Sequence, residues 1–439
     1  MSDLQRAWAK RKLDGLPEPF LEEAELEEDH VPELPEHLDD GDSSSASSAS
    51  STGTIIPSPS QKLFARPQGA PSRPGRNWEP SPWTTYFERE LFLTPDAPPS
   101  PSSSITYHAY LISPSPSGGP LFVTHHGAGS SGLSFALLAA EIRRLLPNAG
   151  ILSLDARGHG FTTVTSAPGT PSDELDLSLQ TLTNDLYAVI TLAQQQMAWA
   201  QLPPLVLVGH SLGGAVVTSL AKEPRDLAPK ILGHAVLDVV EGSAIDALQS
   251  MHSYLSTRPS GFASLESAIE WHVRSRTIRN SASARTSVPS LLVLQSDTST
   301  RQQPQESDAP TTLAEATSPD ADAAPSPRPS RPWRWRTDLA ATQPFWEGWF
   351  VGLSRKFLEA RGGKLLLLAG TDRLDTELTI GQMQGKYALQ VFPEAGHFIH
   401  EDLPEKTAVS LVDFFRRNDR SALVLPPKVG DLLRQGKKV

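Results

Sequence analysis

The sequence predicts an α/β fold with a mostly parallel central sheet and helices on both of its faces. Short apolar runs alternate along the chain with longer segments of helical periodicity. Several of these runs are apolar throughout rather than at every second position, which is typical of strands that are covered on both faces. This strand–helix–strand order predicts a doubly wound sheet, in which functional residues gather at the carboxyl ends of the strands.

Seven apolar runs are the strand candidates, namely ITYHAYLI, PLFVTHH, GILSLDA, PLVLVGH, GHAVLDVV, KLLLLAG and YALQVFPEAG. The segments LSFALLAAEIRRLL and SLQTLTNDLYAVITLAQQQMAWA lie between them and are helical in pattern. An eighth strand-like run, SLLVLQSD, leads directly into a Ser-, Pro- and Asp-rich segment. Because structured-looking sequence flanks that segment on both sides, we interpret it as a surface insertion within one domain, with a linker between two domains as the alternative.

Composition separates the part of the chain that folds from the part that does not. Only 38% of the 439 residues are hydrophobic and 39 are proline, which indicates a globular core diluted by sequence that buries too little apolar surface to fold. We predict a disordered N-terminal tail over residues 1–75 and a folded domain over 76–418. A disordered insertion is predicted at about 298–332, and a flexible basic C-terminal tail at 419–439.

The composition also excludes several classes of protein. The chain has no cysteine, which excludes disulfides, cysteine-ligated zinc and thiol catalysis. A formal net charge of −11 argues against binding to nucleic acid. No apolar run approaches the roughly 18–20 residues of a membrane span, and the N-terminal sequence lacks the apolar stretch of a signal peptide. We therefore expect a soluble intracellular protein, cytoplasmic and/or nuclear, with no membrane contact.

A G-x-S-x-G pattern, Gly209 to Gly213, follows a clear strand candidate. The flanking glycines let backbone pass close on both sides, so that Ser211 can occupy a strained turn with its hydroxyl exposed. The sequence after it, GGAVVTSLAKE, is helical in pattern, and Gly214 adds room. We therefore predict that Ser211 is a nucleophile rather than a serine in an ordinary glycine-rich turn.

A serine hydroxyl is a poor nucleophile at neutral pH and needs a base. His397 lies just after the last predicted strand, in Ala-Gly-His, and a helix with an apolar face follows it. We predict His397 as that base, with His400 as the alternative. A His-x-x-His metal site is disfavoured because no third ligand is evident, so we expect no metal.

Two backbone N–H groups are expected to bind the negative charge that develops on the substrate oxygen. One is the N–H of Leu212, directly after the nucleophile. The other is expected in the turn His126-Gly127-Ala128-Gly129, which follows an apolar strand and is built of small residues. Ala128 is the predicted donor of this turn and Gly129 is the alternative; a purely structural glycine turn is the competing interpretation.

Three aspartates follow strand-like runs and are candidates for the acid that orients the imidazole of the base. Asp238 ends HAVLD, Asp372 follows LLLLAG, and Asp297 ends SLLVLQSD just before the biased segment. Chain position slightly favours Asp372, because it follows the next-to-last strand. Asp155, in LDARGHG, precedes Ser211 and is interpreted as structural.

Four blocks of the sequence resemble the protein phosphatase methylesterases, a family of enzymes that act on protein phosphatase 2A. The blocks are NWEPSPWTTYFE, the region from DVVEGSAIDALQSMHSY to RNSASAR, WRTDLAATQPFWEGWFVGLSRKFL and KLLLLAGTDRLDTELTIGQMQGKYALQVFPEAGHFIHED. They extend from about Asn77 to Phe415, with the insertion left out. The resemblance implies an α/β-hydrolase fold with a helical lid over about 241–285.

The resemblance also implies the chemistry. The Ser-Asp-His triad of the family carries over to Ser211, Asp238 and His397, because the family's acid lies in Asp-Val-Val-Glu-Gly; this replaces the slight preference for Asp372. The implied reaction removes the methyl ester from the C-terminal leucine of the phosphatase 2A catalytic subunit and releases methanol, without a cofactor. That subunit is the implied partner. The alternatives are a general small-ester hydrolase and a non-catalytic protein that sequesters the phosphatase.

The implied lid contains five large side chains whose role the sequence leaves open. They either shape a groove for the phosphatase tail or form the lid's own core. The five are Met251, Tyr254, Leu255, Phe262 and Trp271.

Overall fold

The computed structural model describes residues 77–96, 103–166, 176–223, 225–295, 331–370 and 374–419. The N-terminal tail predicted at 1–75 lies outside the described residues. So do the insertion predicted at about 298–332, apart from its last two residues, and the tail predicted at 419–439, apart from Asp419. The domain boundaries drawn from composition stay predictions.

The described residues form eleven strands, and all seven strand candidates are among them. Three further strands (β1, β5 and β9) were not among the candidates and have at most three consecutive apolar residues. The strands are β1 (Arg89–Leu93), β2 (Ser103–Ile112), β3 (Leu121–His125), β4 (Gly150–Asp155), β5 (Thr163–Ser166), β6 (Leu205–His210), β7 (Ile231–Leu237), β8 (Leu292–Leu294), β9 (Trp333–Trp335), β10 (Gly363–Leu368) and β11 (Ala388–Val391).

Helices connect most of these strands, and several begin at a polar side chain that accepts a backbone N–H, as at Ser178, Ser264 and Asn280. None of the described helices is both long enough and apolar enough to cross a membrane. The α-helices are α1 (Ala136–Leu145), α2 (Leu179–Gln196), α3 (Leu212–Lys222), α4 (Glu241–Thr257), α5 (Leu265–Arg274), α6 (Ser281–Ser287), α7 (Trp346–Phe350), α8 (Leu353–Glu359), α9 (Thr376–Met383), α10 (Ile399–Asp402) and α11 (Pro404–Asn418).

The main sheet has the strand order β1-β2-β4-β3-β6-β7-β10-β11. Strand β2 is antiparallel to both of its neighbours in that order. All neighbouring pairs from β4 to β11 are parallel. The short strand β5 pairs with the first residues of β2. The parallel strands therefore all end at one edge of the sheet, and this edge carries Asp155, Ser211 and Asp238.

Strand β6 shows how the sheet is covered on both faces. All six of its residues are buried. Leu205 and Leu207 belong to an apolar cluster with residues of α2, α3 and α8, whereas Val206 and Val208 belong to another cluster with residues of α1 and α11. Successive side chains of a strand point to opposite faces, so each face is apolar and each packs against helices. The predicted doubly wound arrangement is confirmed.

The region predicted as a lid, residues 241–285, forms α4, α5 and the first part of α6. The rings of Phe262 and Trp271 lie 5.4 and 6.3 Å from that of Trp335, in a small apolar cluster of this region. Met251 and Leu255 pack against the main core. The described contacts of Phe262 and Trp271 are thus within the lid's own core, as the second interpretation expects, whereas Met251 and Leu255 connect the lid to the main core.

Strands β8 and β9 form an antiparallel ribbon that is separate from the main sheet. Leu292 lies opposite Trp335, and the N–H of Gln295 donates to the carbonyl of Pro332 (2.8 Å). Part of the run SLLVLQSD, Leu292–Leu294, is therefore a strand, but it belongs to this ribbon and not to the main sheet. Asp297, the third acid candidate, lies outside the described residues.

A buried ion pair fastens α2 to the rest of the domain. The Nε and Nη2 groups of Arg157 donate to Asp185 Oδ2 and Oδ1, each at 2.9 Å, and the hydroxyl of Tyr107 donates to Oδ1 at 2.6 Å. Both charged side chains are less than a tenth exposed. Burial and the neighbouring carboxylate raise the pKa of Tyr107, so its hydroxyl stays protonated as the donor.

Replacing Asp185 by alanine would remove the carboxylate that binds both the buried Arg157 guanidinium and the Tyr107 hydroxyl. We expect Asp185→Ala to lower the free energy of unfolding by about 3–5 kcal/mol. Tyr107→Phe removes one hydrogen bond to the same carboxylate and is expected to cost about 1–3 kcal/mol. Urea denaturation of the three proteins measures both losses. Equal losses for the two variants would contradict the assignment of Asp185 as the centre of the network.

Candidate active site

Ser211 occupies the turn between β6 and α3 in a backbone conformation that side chains rarely adopt. Its φ is +51°, and its N–H donates to the carbonyl of Leu237 at the end of β7 (3.0 Å). A strained residue held at a strand-to-helix turn is typical of a nucleophile whose side chain projects from the sheet edge. The strand and helix that the sequence predicted on either side of Ser211 are therefore both present.

The glycines around Ser211 are required by close backbone contacts. A Cβ atom on Gly209 would lie 2.1 Å from the carbonyl oxygen of Gly213, and one on Gly213 would lie 2.0 Å from that of His125. The first contact closes the turn, and the second brings the end of β3 against the start of α3. A Cβ on Gly127 would lie 3.0 Å from the Cβ of Ser211. The turn that follows β3 is thus directly beside the serine.

His397 and Asp238 are hydrogen-bonded to each other at the same edge of the sheet. The Nδ1 of His397 lies 2.8 Å from Asp238 Oδ2, and the other carboxylate oxygen accepts the N–H of Ala369 (2.9 Å). The Asp238 side chain is fully buried, whereas that of His397 is 42% exposed. A carboxylate acceptor keeps the proton on Nδ1, so the unprotonated Nε2 is available as a base.

The structure places the candidate acids differently, and only Asp238 is bonded to His397 among those that are described. It follows β7 with a φ of +50°, and its N–H donates to Leu367 of β10 (2.8 Å). Asp372, the candidate that chain position favoured, lies outside the described residues. Asp375 is the N-cap of α9, where Oδ1 accepts the N–H of Leu378 (2.9 Å). The structure therefore joins His397 to the aspartate that the family resemblance implied.

His210, next to Ser211, supports the other side of His397. Its Nε2–H donates to the carbonyl of His397 (2.9 Å), and the two rings lie 4.6 Å apart. Burial lowers the pKa of His210 to about 3, so the ring is neutral at physiological pH. In the G-x-S-x-G pattern any residue can stand at the position of His210, so the sequence did not predict this role.

In the turn at 126–129, one of the two predicted oxyanion donors is already engaged in another hydrogen bond. The N–H of Gly129 donates to Nε2 of His159 (2.9 Å), so it is already used, and Gly129 is not the donor in this structure. Ala128 and Leu212 remain. In the part of the chain that is described, the Ala128 N–H makes no hydrogen bond, and Leu212 is the first residue of α3, where N–H groups lack intrahelical partners.

Three neutral imidazoles hold this turn in place. His159 donates from Nδ1 to the carbonyl of Arg157 (2.9 Å), which leaves Nε2 to accept from Gly129. His126 donates to the carbonyl of Gly127 (2.8 Å) and accepts the N–H of Ala156 (2.9 Å), and His125 donates to the carbonyl of His126 (2.9 Å). Burial lowers the pKa of all three histidines. The sequence analysis missed His159, although it too follows a strand, in Arg-Gly-His-Gly.

Asp155 has a structural role in this arrangement. It accepts the N–H groups of Gly132 (2.8 Å) and Phe161 (2.9 Å), and its Oδ2 lies 2.8 Å from His108 Nδ1. A Cβ on Gly160 would lie 2.0 Å from its carboxyl carbon. Asp155 therefore anchors both the segment after the oxyanion turn and the loop that carries His159.

His400, the alternative base, does not reach the surface. Its ring is fully buried and stacks on Phe135, with ring centroids 4.4 Å apart. Burial lowers its pKa well below the usual value, so it is neutral. Within the described ranges, no group of three or more acidic or histidine side chains has the arrangement of a metal site. His400 is thus a packing residue behind the site.

A strained serine at a strand-to-helix turn, a histidine–aspartate pair beside it and this strand order together define an α/β hydrolase. The chain belongs to the alpha/beta hydrolase family, whose model matches residues 121–409. The peroxisomal alpha-beta-hydrolase Lpx1 of Saccharomyces cerevisiae has the same fold, with a TM-score of 0.52 and 12% identity over 79% of this chain and 95% of that one. The predicted fold class is confirmed.

Within that family the chain belongs to the protein phosphatase methylesterases. It is 62% identical to Protein phosphatase methylesterase 1 of Neurospora crassa and 64% identical to that of Gibberella zeae, over the full length of both chains in each case. The Schizosaccharomyces pombe relative of the same name is 42% identical over 80% of this chain and 88% of its own. The resemblance found in the sequence is confirmed, and the chain is a hydrolase of the methylesterase class.

The buried histidines make stability depend on pH. Burial lowers the pKa of His125 to about 4 and of His210 to about 3, below the roughly 6.5 expected in the unfolded chain. Below pH 6.5 the unfolded chain therefore binds more protons, and each histidine costs about 1.4 kcal/mol of unfolding free energy per pH unit down to its folded pKa. Glu401, whose pKa burial raises to about 8, acts in the opposite direction.

We expect the free energy of unfolding to fall between pH 6.5 and 4.5, and His210→Gln to make that fall shallower by about 1.4 kcal/mol per pH unit. Urea denaturation at pH 6.5, 5.5 and 4.5 measures both slopes. Identical slopes for the two proteins would mean that His210 is not held neutral by burial.

Proposed function

We propose that this chain removes the methyl ester from the C-terminal leucine of the protein phosphatase 2A catalytic subunit, with Ser211, His397 and Asp238 as its triad. The observation that carries the proposal is the 2.8 Å bond between His397 and Asp238 beside the strained turn at Ser211. The names of the relatives support a protein phosphatase as the substrate. The leucine ester and the 2A subunit come from the family resemblance.

In the proposed reaction, His397 Nε2 takes the proton of the Ser211 hydroxyl as the serine oxygen attacks the ester carbonyl. The N–H groups of Leu212 and Ala128 stabilise the negative charge on the carbonyl oxygen. The carbon–oxygen bond to the methoxy group breaks, and His397 gives its proton to the leaving group, which departs as methanol. Asp238 stabilises the imidazolium that forms in between.

The second half of the cycle uses the same groups. Water gives a proton to His397 Nε2 and attacks the acyl-enzyme, and the oxyanion is again bound by Leu212 and Ala128. The Ser211 oxygen leaves with the proton from His397, and the free carboxylate is released. Apart from the ester and one water molecule, these steps balance with groups of the chain alone. Because methanol is so small, selectivity must come from contacts with the protein that carries the ester.

Ser211→Ala is expected to abolish methanol release from carboxymethylated phosphatase 2A catalytic subunit, since no other group supplies the nucleophile. Loss of the methyl group from the subunit is followed by mass spectrometry of its C-terminal peptide. Binding of the subunit by the variant is measured in parallel. Retained binding without turnover supports separable binding and catalysis, whereas unchanged turnover would eliminate Ser211 as the nucleophile. Turnover of short esters alone would favour a general small-ester hydrolase.

Asp238→Asn keeps the size of the side chain but no longer fixes the proton on Nδ1 of His397. We expect kcat to fall on the order of 10³–10⁴-fold. Asp375→Asn is the matched control, because asparagine is as good an N-cap as aspartate and α9 is expected to form normally. Asp372→Asn tests the other candidate acid and is expected to have a much smaller effect. A larger loss from Asp372→Asn than from Asp238→Asn would reverse the assignment.

A further inference from the structure

Two buried acids lie next to each other on the short helix α10, directly after His397. Glu401 and Asp402 are both less than a tenth exposed, and the proposed reaction uses neither of them. Carboxylates are costly to bury unless their oxygens are hydrogen-bonded. The partners of each acid therefore indicate what it does.

Asp402 binds two backbone segments at once. Its Oδ2 accepts the N–H of Gly396 and its Oδ1 accepts the N–H of Arg279, both at 2.7 Å. The guanidinium Nε of Arg279 lies 3.7 Å from Oδ2. One carboxylate thus connects the residue directly before His397 with the segment between α5 and α6.

Hydrogen bonds hold the backbone before and after His397, at the peptide between Ala395 and Gly396 and at the peptide between His397 and Phe398. On one side, Asp402 accepts the Gly396 N–H; on the other, His210 Nε2 donates to the carbonyl of His397 itself (2.9 Å). The space around Gly396 is tight, because a Cβ there would lie 3.1 Å from Asp402 Oδ2 and 3.3 Å from Arg279 Nε. The loop therefore has little freedom to shift while the Asp402 bond is intact.

Glu401 has different partners. Its Oε2 accepts the hydroxyl of Ser287 (2.6 Å), and its carbonyl accepts that of Ser283 (2.7 Å), both on α6. The Glu401 side chain thus connects α10 to α6 and has no described hydrogen bond to residues 394–397, which makes it a control for Asp402 from the same turn of helix.

We propose that Asp402 is a positioning residue that sets the location of His397 through the Gly396 N–H. The inference rests on the proposed role of His397 as the base. Asp402 does not touch the reacting atoms; it fixes the backbone from which the imidazole projects. A base displaced by about 1 Å can cost on the order of 100-fold in rate, since proton transfer requires close alignment.

The test compares Asp402→Asn with Glu401→Gln. An asparagine has one acceptor oxygen, so only one of the Gly396 and Arg279 N–H groups keeps its bond. We expect Asp402→Asn to lower kcat for p-nitrophenyl acetate about 10–100-fold with KM within about twofold, because the alignment is disturbed and the binding surface is not. Glu401→Gln retains the acceptor for Ser287 and is expected to keep kcat within about twofold.

Gly396→Ala tests the same contact without removing a charge, and serves if Asp402→Asn does not fold. Its methyl group presses on Asp402 and Arg279, so kcat is expected to fall with KM little changed. Thermal unfolding of each variant checks that the chain is folded at the assay temperature. The inference is overturned if folded Asp402→Asn, or folded Gly396→Ala, keeps kcat within twofold, or if Glu401→Gln loses as much as Asp402→Asn.

The activated ester separates this inference from the proposed substrate. If the wild-type chain cleaves p-nitrophenyl acetate but not the methylated phosphatase, the proposed function fails and Asp402 is still tested. If Ser211→Ala cleaves the activated ester as fast as the wild type, the base role of His397 fails, and the inference about Asp402 fails with it.

Discussion

The hydrogen bond between His397 and Asp238 joins residues that are 159 positions apart in the chain. It exists because β7, β10 and β11 are parallel neighbours in the sheet, so that the segments after β7 and β11 leave from the same edge. The N–H of Asp238 bonds to β10, and its carboxylate accepts the N–H of Ala369, just after β10. The geometry of the pair thus follows from the order of these strands in the sheet.

Buried neutral imidazoles hold the backbone segments around the His397–Asp238 pair in place through hydrogen bonds. A neutral imidazole donates at one nitrogen and accepts at the other, so it can connect two backbone groups that would otherwise be buried unpaired. His126 and His159 each connect a donor and an acceptor in this way, and His210 joins the turn at Ser211 to the loop of His397. The same burial that positions these rings makes protonation costly, because an imidazolium has no acceptor to offer.

The sequence predicted the parts of the molecule that are encoded locally. Apolar runs located the strands of the parallel core, and glycine spacing located the turn at Ser211. Strand β5 was missed because Thr163–Ser166 has no apolar run, and the strand-like run SLLVLQSD could not be assigned to a sheet because apolar content does not specify a partner strand. The acid was not settled by pattern, since several strands end in aspartate and only the fold determines which one meets the histidine. His159 and Asp402 act through backbone groups, which leave no pattern in the sequence.

The ribbon of β8 and β9 affects how well this domain tolerates insertions and deletions between the two strands. Its last bond joins Gln295 to Pro332, so the residues on either side of the connection between β8 and β9 are neighbours. Because the two ends of the connection are held together by this bond, and the entropy of closing a loop grows only slowly with its length, a change in the number of connecting residues costs little free energy. Evolution can therefore lengthen, shorten or rewrite this connection without disturbing the hydrolase, and an engineer could splice a reporter domain into it or open new chain termini there.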